Sequence, residues 1–250
     1  VLYIIFEKIF RKGGNVMSSL GKLYGIGVGP GDPELLTFKA VRVMNETNVV
    51  FTAASSKNCY SLAVEIARPH LAEPVKIISL AFPMTSDKDV SQTAWDDNAR
   101  QIADVLKQGK TASFLTLGDP STYSTFGYVL KSLKSIMPDA DIETIPGITS
   151  FHAAAARLNR TLVEAEESLL ITSGAYGGNQ LRKCTASVQN VVMMKAYKNI
   201  KDINDALKEV GFNNRVAISK CGRKKEEIFH NTDDLEIRAP DYWTLILARK

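Results

Sequence analysis

The sequence predicts an α/β protein of two lobes, each a sheet flanked by helices, with a mixed sheet in the second lobe. Three observations predict it. From Leu23 onward, short apolar runs alternate with stretches of helical periodicity. Glycine and proline punctuate the ends of those runs, as at Gly29-Pro30-Gly31, Gly118-Asp119-Pro120 and Pro146-Gly147. The last two strand-like runs, Glu227–Phe229 and Trp243–Ala248, have only turn-like sequence between them, which rules out a parallel crossover and predicts a second sheet that is mixed or antiparallel in part. A chain of 250 residues accommodates two such lobes, here 22–142 and 146–250.

The first lobe opens with LYGIGV, Leu23–Val28, a buried strand. Asp32 then caps a helix with Pro33 at its first position, and Leu36, Ala40, Val43 and Met44 form its apolar face. Asn48–Thr52 is the second strand and Ser61–Ala67 a short helix stopped near Pro69. Val75–Leu80 is the third strand. A long helix over Ser91–Gln108 follows, with Trp95, Ala99, Ile102 and Leu106 on one side. Thr111–Leu117 is the fourth strand, a helix carrying Phe126, Val129, Leu130 and Leu133 comes next, and Asp141–Ile145 is the fifth strand. Beyond a hinge near Asp139–Pro146, a helix spans Thr149–Leu158. Strands at Ser168–Thr172, Val191–Lys195 and Val216–Cys221 then alternate with a glycine-rich loop, Gly174–Gly178, and an Ile200–Val210 helix.

Composition excludes several classes of function. The balance of 31 basic against 27 acidic residues is too mild and dispersed for a nucleic-acid footprint. Its densest basic run, Arg223-Lys224-Lys225, reads as a solvated turn, and a polyanionic small substrate stays compatible. Cys59, Cys184 and Cys221 have no metal or redox spacing and fit a reducing, cytoplasmic setting. His70, His152 and His230 are scattered, so no metal site is expected. Val1–Phe10 is apolar but interrupted by Glu7 and Lys8 and too short to span a bilayer, so no membrane partner is expected. Residues 1–16, ending in an Arg11-Lys12-Gly13-Gly14 stretch just before Met17, read as a translated leader or an expression-derived extension; an amphipathic N-terminal extension is the alternative.

Three segments carry chemistry. Gly25-x-Gly27-x-Gly29-Pro30-Gly31-Asp32-Pro33 stands where a strand hands over to a helix, and glycines there let a ligand approach the backbone. Pro30 replaces the third glycine of a dinucleotide fingerprint, and alone the segment fits a ligand loop and a tight structural turn equally. Leu117-Gly118-Asp119-Pro120-Ser121-Thr122-Tyr123-Ser124 sits at a strand's carboxyl end, where ligands of open α/β sheets bind. Asp119 there suits a ribose or an ammonium group, or a helix cap. Pro146-Gly147-Ile148-Thr149-Ser150 is a rigid turn at the hinge, a place that commonly borders a cleft.

In this order and spacing, GVGPGDPELLTFKA, FLTLGDPSTYSTFGY and TIPGITSF closely resemble the signatures of the tetrapyrrole methylases, over some nine tenths of the chain. The resemblance implies two α/β lobes, S-adenosylmethionine folded into the cleft between them, and a homodimer. It implies cofactor contacts at Pro30, Leu117, Gly118, Asp119, Thr122, Thr149, Ser150, Met194 and Gly222, although Met194 also suits core packing. The uroporphyrinogen branch has an acidic residue after its second strand; Phe51-Thr52-Ala53-Ala54-Ser55 has none here. Ser61-Leu62-Ala63, STYSTFGYV and PGITSFHAAAARL are instead similar to the branch that methylates precorrin-2, or cobalt-factor II, at C20. The diphthine branch, which modifies a protein side chain, and the uroporphyrinogen III and precorrin-4 methylases are the competing readings. A non-catalytic adenosyl-nucleotide sensor is another. Tyr123 and His152, near the expected cleft, are candidates for the base that takes the C20 proton or for pocket residues that position the substrate.

Overall fold

The computed structural model describes residues 20–55, 61–72, 74–183, 187–238 and 240–250. The stretch 1–16, Cys59 and Cys184 lie outside the described residues. Five parallel strands make the first sheet: β1 (Lys22–Gly27), β2 (Val49–Ser55), β3 (Lys76–Phe82), β4 (Ala112–Thr116) and β5 (Asp141–Ile145), in the order β3-β2-β4-β1-β5. All five residues of β4 are buried, as a central parallel strand covered on both faces requires. One face packs Phe51, Leu80 and Phe114 against α3 (Lys88–Lys107) and α4 (Phe126–Ile136) through Ile102, Leu106, Phe126 and Leu133; both helices follow α1 (Phe38–Glu46) and α2 (Leu62–Ala67) in the chain. The opposite face packs Ile26, Val50, Leu115 and Ile145 against α1 and α2 through Val43, Met44, Val64 and Ile66. Trp95 of α3 is half-buried, packs against the core on the first face and stacks flat on Tyr128, with ring centres 4.1 Å apart.

The first helix begins later than the sequence predicts. Asp32 does cap a turn, its Oδ1 accepting from the Glu34 amide at 2.9 Å, but Pro33–Leu35 is a single 3-10 turn. Leu36 is extended, with φ −67° and ψ 138°. The helix restarts at Phe38 under a second cap, Thr37, whose hydroxyl accepts from the Ala40 amide at 3.1 Å. Leu35 packs against an apolar cluster of the second lobe, so its turn is drawn away from the α1 axis.

The second sheet contains β6 (Leu169–Ser173), β7 (Asn190–Met194), β8 (Asn214–Ser219), β9 (Glu227–Phe229) and β10 (Thr244–Arg249), ordered β6-β7-β10-β8-β9. β6 and β7 are parallel; β10 lies antiparallel between β7 and β8, and β9 is antiparallel to β8. The sheet is mixed, but not for the reason expected. β9 and β10 are not neighbours: both oppose β8 and so run the same way. The chain between them is not merely turn-like, because a 3-10 turn (Thr232–Asp234) and α8 (Leu235–Arg238) carry it across, anchored by the buried Leu235. Around this sheet lie α5 (Ser150–Arg157), α6 (Asn179–Arg182) and α7 (Ile200–Val210). No helix among the described residues is long and apolar enough to cross a membrane.

The ends of β1, β4 and β5 meet backbone to backbone. A Cβ on Gly27 would stand 2.5 Å from the Gly118 carbonyl oxygen and 2.7 Å from the Gly147 nitrogen. One on Gly147 would stand 2.3 Å from the same carbonyl. Gly29 and Gly118 exchange amide bonds of 3.2 and 2.8 Å, tying the loops after β1 and β4. Gly27→Ala is therefore expected to destabilise the protein by about 3 kcal/mol or more, since only backbone is available to give way. Gly127, in α4 with nothing within 4 Å of an added Cβ, is the contrasting site. Gly127→Ala should stabilise by up to about 1 kcal/mol; urea unfolding of the two variants measures both.

Candidate active site

The two lobes enclose one cleft of about 680 Å³. That volume lies in the ordinary range for a small-molecule site. The crossovers leaving β1 and β4 run in opposite directions across the first sheet. Their loops therefore flank a topological switch point, where ligands of open sheets bind.

Pro30, Leu117, Gly118, Asp119, Thr122, Thr149, Ser150 and Met194 all line this cleft, and so does Tyr123. Gly118 has φ +70°, and an added Cβ would meet nothing closer than the Ile148 carbonyl oxygen at 4.0 Å. It faces open space, so a ligand can press against bare backbone there. Asp119 is fixed from two sides: Oδ1 accepts from the Ser121 amide at 2.8 Å and Oδ2 from the Gly147 amide at 3.0 Å. Its carboxylate thus ties the β4 loop to the hinge while lining the cleft, so the structural and the site-lining roles coexist. Thr149 caps α5, and its hydroxyl lies 2.7 Å from His152 Nδ1.

Two expected residues fall outside the lining. His152 is exposed on α5, and its imidazole is engaged by Thr149 rather than turned into the cleft. Gly222 adopts φ +75° in the loop after β8, where its amide donates to Glu226 Oε2 at 2.8 Å. A Cβ there would come within 3.2 Å of the Asp32 nitrogen, so the loop abuts the first lobe.

Sequence reasoning missed the second-lobe wall. Lys195 and Tyr197 follow β7, Lys220 and Arg223 follow β8, and Tyr242-Trp243 precede β10. The signal was available: each is a cation or aromatic at the strand end facing the cleft, and Lys195 directly follows the expected Met194. The Arg223-Lys224-Lys225 run is only partly the solvated turn expected, since Lys224 and Lys225 are exposed but Arg223 is half-buried and lines the cleft. Lys220 pairs with Asp241 at 3.0 Å. Burial works to raise the Asp241 pKa, but Lys220, the Trp243 amide and Arg223 together hold it below the usual carboxylate value. Thr52 and Ser61 hydrogen-bond to each other beside Ala53 and Ala54, leaving hydroxyls and methyls on that wall and no carboxylate. Cys221, on the second-lobe wall, has its thiol pushed up to about 11 by burial and by the negative charge of Glu226, against a smaller opposing effect of Arg157. It is neutral at physiological pH and not a nucleophile.

The family model for Tetrapyrrole (Corrin/Porphyrin) Methylases matches residues 22–235. The chain belongs to the tetrapyrrole methylases. Within them it is 37% identical to the probable cobalt-precorrin-2 C(20)-methyltransferase of Methanocaldococcus jannaschii, over 74% of this chain and 75% of that one. It is 28% identical to the cobalt-precorrin-2 C(20)-methyltransferase of Salmonella typhimurium, covering 92% and 97% of the two chains. Its fold is that of the Thermus thermophilus uroporphyrin-III C-methyltransferase complexed with S-adenyl homocysteine, at a TM-score of 0.67, 20% identity and 92% coverage of each chain.

Two outcomes test the geometry of this methylase's cleft. Asp119→Ala strips two backbone amides of their acceptor and is expected to lower stability by about 1–3 kcal/mol, read by denaturant unfolding. Peptide mapping after iodoacetamide treatment should find Cys221 nearly unlabelled at pH 8, with labelling rising toward pH 11 as the thiolate forms.

Proposed function

We propose that this methylase transfers the methyl group of S-adenosylmethionine to C20 of precorrin-2 or of its cobalt form, in cobalamin biosynthesis. One observation carries the reading: three separate loops, from β1, β4 and the hinge, converge on a single cleft. The C20 position is supported by the names of the two relatives above and by the acid-free wall after β2.

The residues present fit the methyl donor. Gly118 leaves room against its backbone, Asp119 is held rigid, and the neutral Cys221 thiol offers no competing nucleophile. Pro30, Leu117–Asp119, Thr122, Thr149, Ser150 and Met194 would hold the donor, which supplies a methyl group already activated by its sulfonium. The protein's part is then alignment and exclusion of water rather than chemical activation. With the donor bound, its methyl–sulfur bond would break as a carbon–carbon bond forms at C20, leaving S-adenosylhomocysteine, and the C20 proton would pass to a base. Tyr123, which lines the cleft, is the candidate for that base or for a residue that positions the ring; His152 is not carried forward. A homodimer in a reducing cytoplasm completes the reading, and sedimentation velocity tests the assembly.

Incubation with methyl-labelled S-adenosylmethionine and either precorrin-2 or cobalt-factor II should yield product labelled at C20. Label at another ring position would move the chain to a different methylase branch. Transfer to neither macrocycle would sink the assignment.

A further inference from the structure

We propose that Arg223 and Lys195 form a two-point clamp for carboxylates on the rim of the macrocycle, and so set which edge of the ring enters the cleft. The inference rests on the tetrapyrrole reading above but assigns roles to residues outside its three motif loops.

Arg223 carries it. Its Nη1 is shut off from solvent and has no hydrogen-bond partner, although the side chain lines the cleft. A buried guanidinium donor left unmatched is destabilising unless a ligand supplies the acceptor. The side chain is also held in place. Its Cγ lies where it would be 2.7 Å from a Cβ on Gly31, so the stem runs tight against the first lobe's glycine loop. Its guanidinium carbon sits 5.7 Å from the centre of the Trp243 ring. A short backbone bond, Arg223 N–H to the Lys220 carbonyl at 3.0 Å, fixes the turn beneath it.

Lys195 reaches the cleft from the end of β7. Its backbone is left-handed, with φ +57°, and the next residue is locked to β10 by the Ala196 amide on the Thr244 carbonyl at 2.9 Å. Among the described residues its ammonium meets no carboxylate. It lies 5.6 Å from the Tyr123 ring centre and 5.7 Å from that of Tyr242.

The acids nearby are already committed. Asp241 is paired with Lys220, and both oxygens of Asp119 accept backbone amides. This side of the cleft therefore presents two cations that, among the described residues, have no close ion pair of their own, set among the faces of Tyr123, Tyr242 and Trp243. A flat conjugated ring with a negative rim is its complement: the aromatic faces pack on the ring, and the guanidinium and the ammonium each take a carboxylate.

The test uses the full-length enzyme and the variants Arg223→Met, Arg223→Lys and Lys195→Met. Methionine keeps an unbranched stem against Gly31 and Trp243 while removing the charge. For each methionine variant the KM for the tetrapyrrole should rise about tenfold or more, the scale of a lost charge-assisted hydrogen bond. The thermal midpoint should not fall and the calorimetric affinity for S-adenosylhomocysteine should hold, while a share of the methyl label should appear away from C20 as the ring enters by other edges; Arg223→Lys should recover part of the loss. An unchanged KM would overturn the clamp. So would a fall in S-adenosylhomocysteine affinity matching the rise in KM, because the carboxylate held would then be the donor's own. A wild-type enzyme that methylates neither macrocycle would sink the functional reading instead. Fluorescence quenching then still decides the clamp: the wild type should bind uroporphyrin more tightly than the less carboxylated coproporphyrin, and Arg223→Met should erase the difference. Equal binding of the two porphyrins by the wild type would overturn it.

Discussion

The backbone contact of Gly27, Gly118 and Gly147 is the constraint on which the site depends. Three strand ends are brought closer than any side chain would permit, and the loops that follow them are thereby aimed at one volume. Asp119 reinforces the contact by receiving an amide from the β4 loop and another from the hinge. The placement of the motif loops thus follows from close-packed main chain, whose geometry is far less adjustable than that of side chains. A cleft built in this way is preorganised for a ligand that must be held at a defined angle to a second one.

The opposite wall follows a different logic. It is assembled from residues flanking β7, β8 and β10, three strands brought together because β10 inserts between the other two. That insertion puts Tyr242 and Trp243 beside Lys195 and Arg223, which are distant from them in the chain. One lobe supplies shaped backbone and hydroxyls; the other supplies charge and aromatic faces.

The ten strands among the described residues were legible because most are short apolar runs bounded by glycine, proline or polar residues and β5 alternates polar with apolar, and their observed limits differ from the expected ones by a few residues at most. The three motif loops were legible for the same local reason. The start of α1 was not, because Asp32 and Thr37 are both sound caps, and the choice between them was made by Leu35 packing on the other lobe. The partners of β9 and β10 were not legible either, since strand order is a long-range property. Within the first glycine cluster, the sequence could not divide the labour. Gly25 makes room for the Phe126 ring and Gly27 for backbone, and of this cluster Pro30 lines the cleft. Arg223 was hidden in a run of charge, and its orientation depends on Gly31 and Trp243, neither of which is near it in sequence.

The glycine contacts also determine how the molecule can move. Around Gly27 and Gly147, and again where Gly31 faces the Cys221 carbonyl, the two halves touch through main chain and cannot slide past one another. Across the cleft at Tyr123 and Lys195, by contrast, they meet through a cation above an aromatic ring. Such a contact at a partly exposed position is worth about 0.5–1 kcal/mol, little enough for thermal motion to break it. The glycine side is therefore the rigid edge of the cleft and the tyrosine–lysine side the yielding one, so a change in the width of the cleft costs least where Tyr123 meets Lys195.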